Sequence, residues 1–313
     1  MRVVVLGAGG VGGYYGGELA RAGNHVTLLA RGDHLAAIRA RGLELRSPGD
    51  GEPTLVPVNA TDDAGALPDA DLVLVTVKSY SLDEVAPAAA RLARAGATVL
   101  PLLNGVDAAD RLADAGVPRD ALLGGVTVIS AARIAPGVIE RRSKFQRVIV
   151  GRLRDGMGGP EAARVTRIVQ AFLDAGIEAR ASAQIEVELW NKLIFLAAMA
   201  AVCGLARRDV GAVRRAPLGR QLIERAVAEI VAVARAHGVP VDADITAETV
   251  GAIEALPDTM RPSLLLDVER GGPTELDVLS GAVSRLGRLH GIPTPVHDTA
   301  VAAIGAATGV TES

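Results

Sequence analysis

Gly7-Ala8-Gly9-Gly10-Val11-Gly12 follows a strand-like run over residues 3–6 and opens a helix-length segment over residues 12–22. A strand, a glycine turn and a helix in that order suit a dinucleotide. The first glycine permits the tight turn, the second lets backbone approach the pyrophosphate, the third packs helix on strand, and the helix N-terminus receives negative charge. FAD and S-adenosylmethionine are the competing ligands for such a turn. A second strand-like run, 25–30, ends on Arg31, where an NAD site would carry an acidic residue for the ribose hydroxyl. An arginine there pairs with a 2′-phosphate, so NADP is the expected cofactor. The plain alternative is a solvated arginine, with Asp33 two residues on. Lys78 and Asn104 follow the runs 72–77 and 98–102, at strand ends where an open α/β sheet presents ligand contacts. Solvation explains the lysine equally well, and an Asn-Gly turn the asparagine.

The elements that must hold these residues alternate in type. Short β-branched runs at 3–6, 25–30, 72–77 and 98–102, with a helix-length segment between the first two, predict right-handed βαβ units and a buried parallel sheet. From 122 to 150 the runs 125–130, 138–141 and 147–151 are broken by Pro136-Gly137 and a charged patch, which fits hairpins or a mixed sheet edge. A glycine-rich connection at 155–160 leads into a helical stretch from Glu161 and a short strand near 177–180. Beyond it the pattern is almost wholly helical, over 185–205, 218–237, 247–256 and 276–290. Apolar residues at 222, 223, 226, 227, 230, 231 and 234 keep the 3.6-residue period of a helix with one face packed inward. A chain of 313 residues exceeds one ordinary domain, and the change of pattern puts the expected boundary near 180, between domains 1–180 and 181–313.

Composition narrows the partners. Hydrophobic residues at 49% and charged residues at 22% supply a large core, while 2% aromatics leave almost no rings for base stacking. A formal charge of -3 offers no basic field, so nucleic acid is not an expected partner and a small molecule is. The single cysteine, Cys203, cannot form an intrachain disulfide. The five histidines show no metal-ligand spacing, so no metal is expected. The first residues enter a strand without a leader, and the longest apolar run, 193–203, is short for a membrane span. A cytoplasmic protein without a membrane anchor is the expectation.

The chain resembles the ketopantoate reductase family across nearly its whole length. The likeness runs through GAGGVGGYYGGELARAGNHVTLLAR at 7–31, VTVKSY at 75–80, LLNGVD at 102–107, ELWNKL at 188–193 and SLLLDVERGGPTELDVLSG at 263–281. It implies a 6-phosphogluconate dehydrogenase-like architecture, an N-terminal Rossmann domain followed by an all-α domain, with hydride passing from NADPH to the C2 carbonyl of ketopantoate to give pantoate for coenzyme A synthesis. By the same resemblance Lys192 is the general acid, Glu275 the substrate-anchoring glutamate and Ser263 the carboxylate-binding serine. Asn104 orients substrate or Lys192 beside the nicotinamide, and Arg31 and Lys78 hold the adenine-side phosphate.

Local explanations stand beside these roles. Glu188 and Lys192 are spaced as an ordinary helix ion pair, and Thr274 with Asp277 as a capping box that leaves Glu275 in a first helical turn. The chain also departs from the family pattern. Leu196 and Ala200 stand where family members carry asparagines on the face of the lysine, and Ser280 replaces a third. Polar groups that read a substrate hydroxyl discriminate strongly. Their loss predicts a 2-keto acid with a more apolar flank than ketopantoate. Another hydroxy acid, or an NADPH-sensing protein without useful turnover, are the other readings. A homodimer through the helical domain is expected by analogy with relatives of the fold.

Overall fold

The computed structural model describes residues 1–47, 49, 51–153 and 161–309, so the connection read at 155–160 lies outside the described residues. The chain forms two compact units, one of Met1–Leu103 with Asp107–Ile185 and one of Asn104–Val106 with Glu186–Ser313.

The first unit runs β1 (Arg2–Leu6), α1 (Gly10–Arg21), β2 (His25–Leu29), α2 (Gly32–Arg41), β3 (Leu43–Arg46), β4 (Thr54–Val56), β5 (Asn59–Thr61), β6 (Leu72–Val75), α3 (Leu82–Arg94), β7 (Thr98–Pro101) and α4 (Ala108–Asp114). It continues through β8 (Gly124–Val128), β9 (Ala131–Ala135), β10 (Val138–Arg141), β11 (Arg147–Gly151), α5 (Glu161–Asp174) and β12 (Glu178–Ser182). Its main sheet has the order β5-β2-β1-β6-β7, every pair parallel. Successive side chains point to opposite faces, and both faces of the sheet are covered, so residues 3–6 of β1 and all of β6 are apolar. Val3, Val5, Leu72 and Leu74 join one core with Tyr15 and Leu19 of α1, while Val4, Leu6, Val73 and Val75 join another with Leu82, Val85 and Leu92 of α3. Each side chain buried in this way stabilises the unit by about 1.5–3 kcal/mol. The strand order reverses between β1 and β6, and an open α/β sheet binds its ligand outside the carboxyl ends at such a reversal.

Two small sheets account for the mixed pattern after residue 122. One has the order β4-β3-β10-β9 and the other β12-β11-β8, each combining parallel and antiparallel pairs. Pro136-Gly137 turns β9 back into β10 as a hairpin.

The second unit is helical, with α6 (Ile185–Ala206), α7 (Val210–Arg215), α8 (Gly219–Ala236), α9 (Ile245–Glu254), α10 (Ser263–Arg270), α11 (Ala282–His290) and α12 (Pro295–Thr308). By length and composition α6 could cross a membrane. Here it is the spine of a core, with Leu193, Ile194 and all of residues 197–203 buried against α8 residues such as Ile223, Val227 and Ile230. The helix expected over 276–290 starts differently. Asp277–Gly281 is a π-helical turn, closed by the Gly281 N–H donating to the Leu276 carbonyl at 2.9 Å. The wider turn accompanies an inward-facing Ser280, whose hydroxyl meets His297 Nδ1 at 3.1 Å with both residues fully buried.

Candidate active site

In the first unit the glycine turn packs on itself and on the chain just after β6. Gly7 has φ +109°, and a Cβ there would lie 2.7 Å from the Val77 nitrogen. A Cβ on Gly12 would lie 2.1 Å from both the Gly7 carbonyl oxygen and Thr76 Oγ1, the latter donating to that same carbonyl at 2.8 Å. Gly9 differs, with nothing within 4 Å of the place a Cβ would occupy. It is exposed at the start of α1, whose first turn carries neither a side-chain cap nor an acidic residue. With no side chain capping it, the start of α1 at Gly9 is left as a potential anion site. A cavity of ≈190 Å³ opens there, lined by the turn, by Ala30 and Arg31 after β2, and by Val77, Ser81 and Glu84 after β6. The donor set and the backbone left open at Gly9 fit a dinucleotide.

His34, in the first turn of α2, braces the turn from behind. Its Nδ1 accepts from the Gly137 N–H at 2.9 Å, which puts the ring proton on Nε2, and Nε2 donates to the Ala8 carbonyl at 2.8 Å. Burial lowers its pKa below the ordinary imidazole value, opposed by the bond to Ala8 and assisted by the charge of Arg133.

In the second unit three residues far apart in sequence meet. Asn104 follows β7 by three residues and donates from Nδ2 to Glu275 Oε2 at 3.1 Å. Glu275 is only 4% exposed and lies two residues before the π-helical turn. Lys192 stands on α6 between buried Trp190 and Leu193. Burial pulls its pKa from 10.5 down to about 8, and the carboxylate of Glu275 pushes it back up. A lysine so placed holds a proton at neutral pH and gives it up far more readily than a solvated one.

The sequence-derived residues are placed unevenly. Asn104, Lys192 and Glu275 converge, whereas Ser263 is the exposed first residue of α10 and no hydrogen bond among the described residues links it to those three. Gly7, Ala8, Gly9 and Arg31 line the cavity, and Gly10, Val11 and Gly12 form the first turn of α1 behind them. Lys78 is exposed at the start of the short turn Ser79–Ser81, beside Val77 and Ser81 of the lining. Two local explanations do not hold. The carboxylate acting on Lys192 is Glu275, not Glu188 one helical turn away. Nor does a capping box form, since the Thr274 hydroxyl accepts from Leu276 N–H at 3.4 Å and Asp277 pairs with Arg285. Leu196 is partly buried against the core and Ala200 lies within it. His34, Glu84 and Arg133 line the cavity without having been marked by any sequence motif.

Comparison with known proteins agrees across both units. Residues 3–155 match the family model described as Ketopantoate reductase PanE/ApbA, and residues 184–308 the one described as Ketopantoate reductase PanE/ApbA C terminal. A 2-dehydropantoate 2-reductase of Halobacterium salinarum is 38% identical over 297 residues, 95% of each chain. The crystal structure of a PanE/ApbA family ketopantoate reductase from Ralstonia eutropha JMP134 superposes with a TM-score of 0.87 at 31% identity, over 99% of both chains. D-mandelate dehydrogenase, solved with NADH and anilino(oxo)acetate, also reaches 0.87 over 99% of both chains. At 23% identity, that likeness is one of fold.

Proposed function

Since this chain belongs to the ketopantoate reductase family, oxidoreductases acting on CH–OH groups, we propose that it is an NADPH-dependent reductase of a small 2-keto acid, either ketopantoate or a relative with a more apolar flank. The observation that carries this reading is the convergence of Asn104, Lys192 and Glu275, with the lysine pKa lowered to about 8. In this reading the first unit holds the cofactor and the second the catalytic groups.

NADPH, when bound, supplies the hydride. The uncapped start of α1 at Gly9 would hold the pyrophosphate, and Arg31 with Lys78 would serve the adenine-side phosphate. Lys192 holds its proton toward the substrate carbonyl and releases it to the oxygen as negative charge develops there, a service worth roughly 10²–10⁴ in rate. Glu275 keeps that ammonium charged and, with Asn104 fixed against it, anchors the substrate. Ser263 serves the carboxylate. Leu196 and Ala200 offer no hydrogen bond to a hydroxymethyl group, so a plain branched 2-keto acid is turned over at a rate comparable with ketopantoate. A cytoplasmic setting and a homodimer belong to the same reading.

The test follows NADPH absorbance with ketopantoate and with branched 2-keto acids, for the wild type and Lys192→Ala. Turnover that collapses in the variant supports the reading. NADPH binding without turnover of any keto acid would instead make the chain a sensor, and strict ketopantoate specificity would refute the apolar flank.

A further inference from the structure

The cavity above the glycine turn is lined by two arginines in different electrostatic situations. Arg31, after β2, has its guanidinium 3.0 Å from the Glu84 carboxylate. Arg133 comes from β9, where its backbone pairs with Ile139 of β10, and among the described residues no hydrogen bond or ion pair engages its guanidinium. Its backbone is held on both sides. Ala131 lies so close to the start of α1 that a Cβ on Gly10 would be 2.2 Å from the Ala131 carbonyl oxygen. On the other side, the Gly137 N–H is bound to His34 at the head of α2. Arg133 thus stands between the glycine turn and the end of β2.

We infer that Arg133 is a further cofactor-binding residue, which takes the 2′-phosphate of the adenosine ribose and discriminates NADPH from NADH. The inference rests on the cofactor reading above and adds a residue and a sign to it. A phosphate arriving at Arg31 meets a guanidinium already paired with Glu84 and lies beside that carboxylate, whose repulsion offsets part of the attraction. The charge of Arg133 is not offset in this way, and its planar fork suits a phosphate. Arg133 therefore carries most of the preference for the phosphorylated nucleotide, and Glu84 works against it.

The test uses the full-length protein and two fragments, 2′,5′-ADP and 5′-AMP, with affinities measured by calorimetry and therefore independently of turnover. The wild type should favour 2′,5′-ADP. Arg133→Gln should weaken 2′,5′-ADP by about tenfold or more, the scale of one charge-assisted contact, with 5′-AMP changed by less than about twofold. Glu84→Gln should strengthen 2′,5′-ADP. If Arg133→Gln weakens both fragments alike, or neither, the inference fails and the cofactor reading stands. A wild type that binds both fragments equally overturns the NADPH reading and this inference with it.

Discussion

Lys192 gives the candidate site a pH limit that can be worked from its surroundings. An ammonium with its ordinary pKa of 10.5 would stay charged through any practical assay, but burial lowers this one to about 8. In the proposed role the acid form is the active form, so activity is expected to be retained below that value and lost above it. With a pKa of about 8, roughly nine-tenths of the lysine is protonated at pH 7 and roughly one-tenth at pH 9, so the rate should fall by close to tenfold across that interval. The quantity to measure is kcat/KM for the keto acid from pH 6.5 to 10, since it reports the free enzyme. Lys192→Arg, charged throughout, should be a poor catalyst whose residual rate lacks the alkaline limb. A wild-type profile that stays level to pH 10 would refute both the burial argument and the role of Lys192 as the acid.

Glu275→Gln removes the charge that holds the lysine pKa up, so besides lowering kcat/KM it should move the alkaline limb below pH 8. Gly9→Ala meets open space and should unfold at the wild-type temperature yet bind NADPH weakly in a fluorescence titration. Gly12→Ala, forced against Gly7 and Thr76, should lower the melting temperature instead. Burial holds His297 at a pKa of about 4 in the folded chain. The unfolded chain takes up that proton below pH 6.5 and the folded one does not, so stability is lost as pH falls from 6.5 towards 4. The loss is about 2–3 kcal/mol by pH 4.5. Unfolding free energies from urea titrations of the wild type and His297→Gln should change relative to each other by that amount between pH 7 and pH 4.5, and a constant difference would count against it.

What could be read from the sequence was what repeats locally. The runs at 3–6, 72–77 and 98–102 marked the buried sheet because both faces of each strand need apolar residues, and the glycine turn announced itself by spacing. Partnerships across long stretches of chain carried no such mark. Asn104 and Glu275 are separated by 171 positions, and nothing at either residue names the other. The parallel pairing of β3 with β10 joins Glu44 to Val138 through strands of only four residues each. α3 carries Pro87 inside it, a residue that ordinarily marks a helix boundary and so masks an otherwise regular period. Lys192 emerged through family resemblance, because Glu188 one turn before it makes it look like half of a surface ion pair. The π-helical turn at Asp277–Gly281 was hidden for a related reason, as its register is set by a buried serine meeting a histidine from another helix.

Asn104–Val106 belongs with the second unit although the chain on both sides of it belongs with the first. A single cut near Ile185 therefore does not yield two self-sufficient cassettes. The C-terminal fragment would leave behind the amide that bonds Glu275, and the N-terminal fragment would carry a short segment whose neighbours are missing. Gene fusion, domain exchange between homologues and split-protein complementation are all constrained by those three residues. Any chimera that replaces the helical half must bring a compatible 104–106 turn with it.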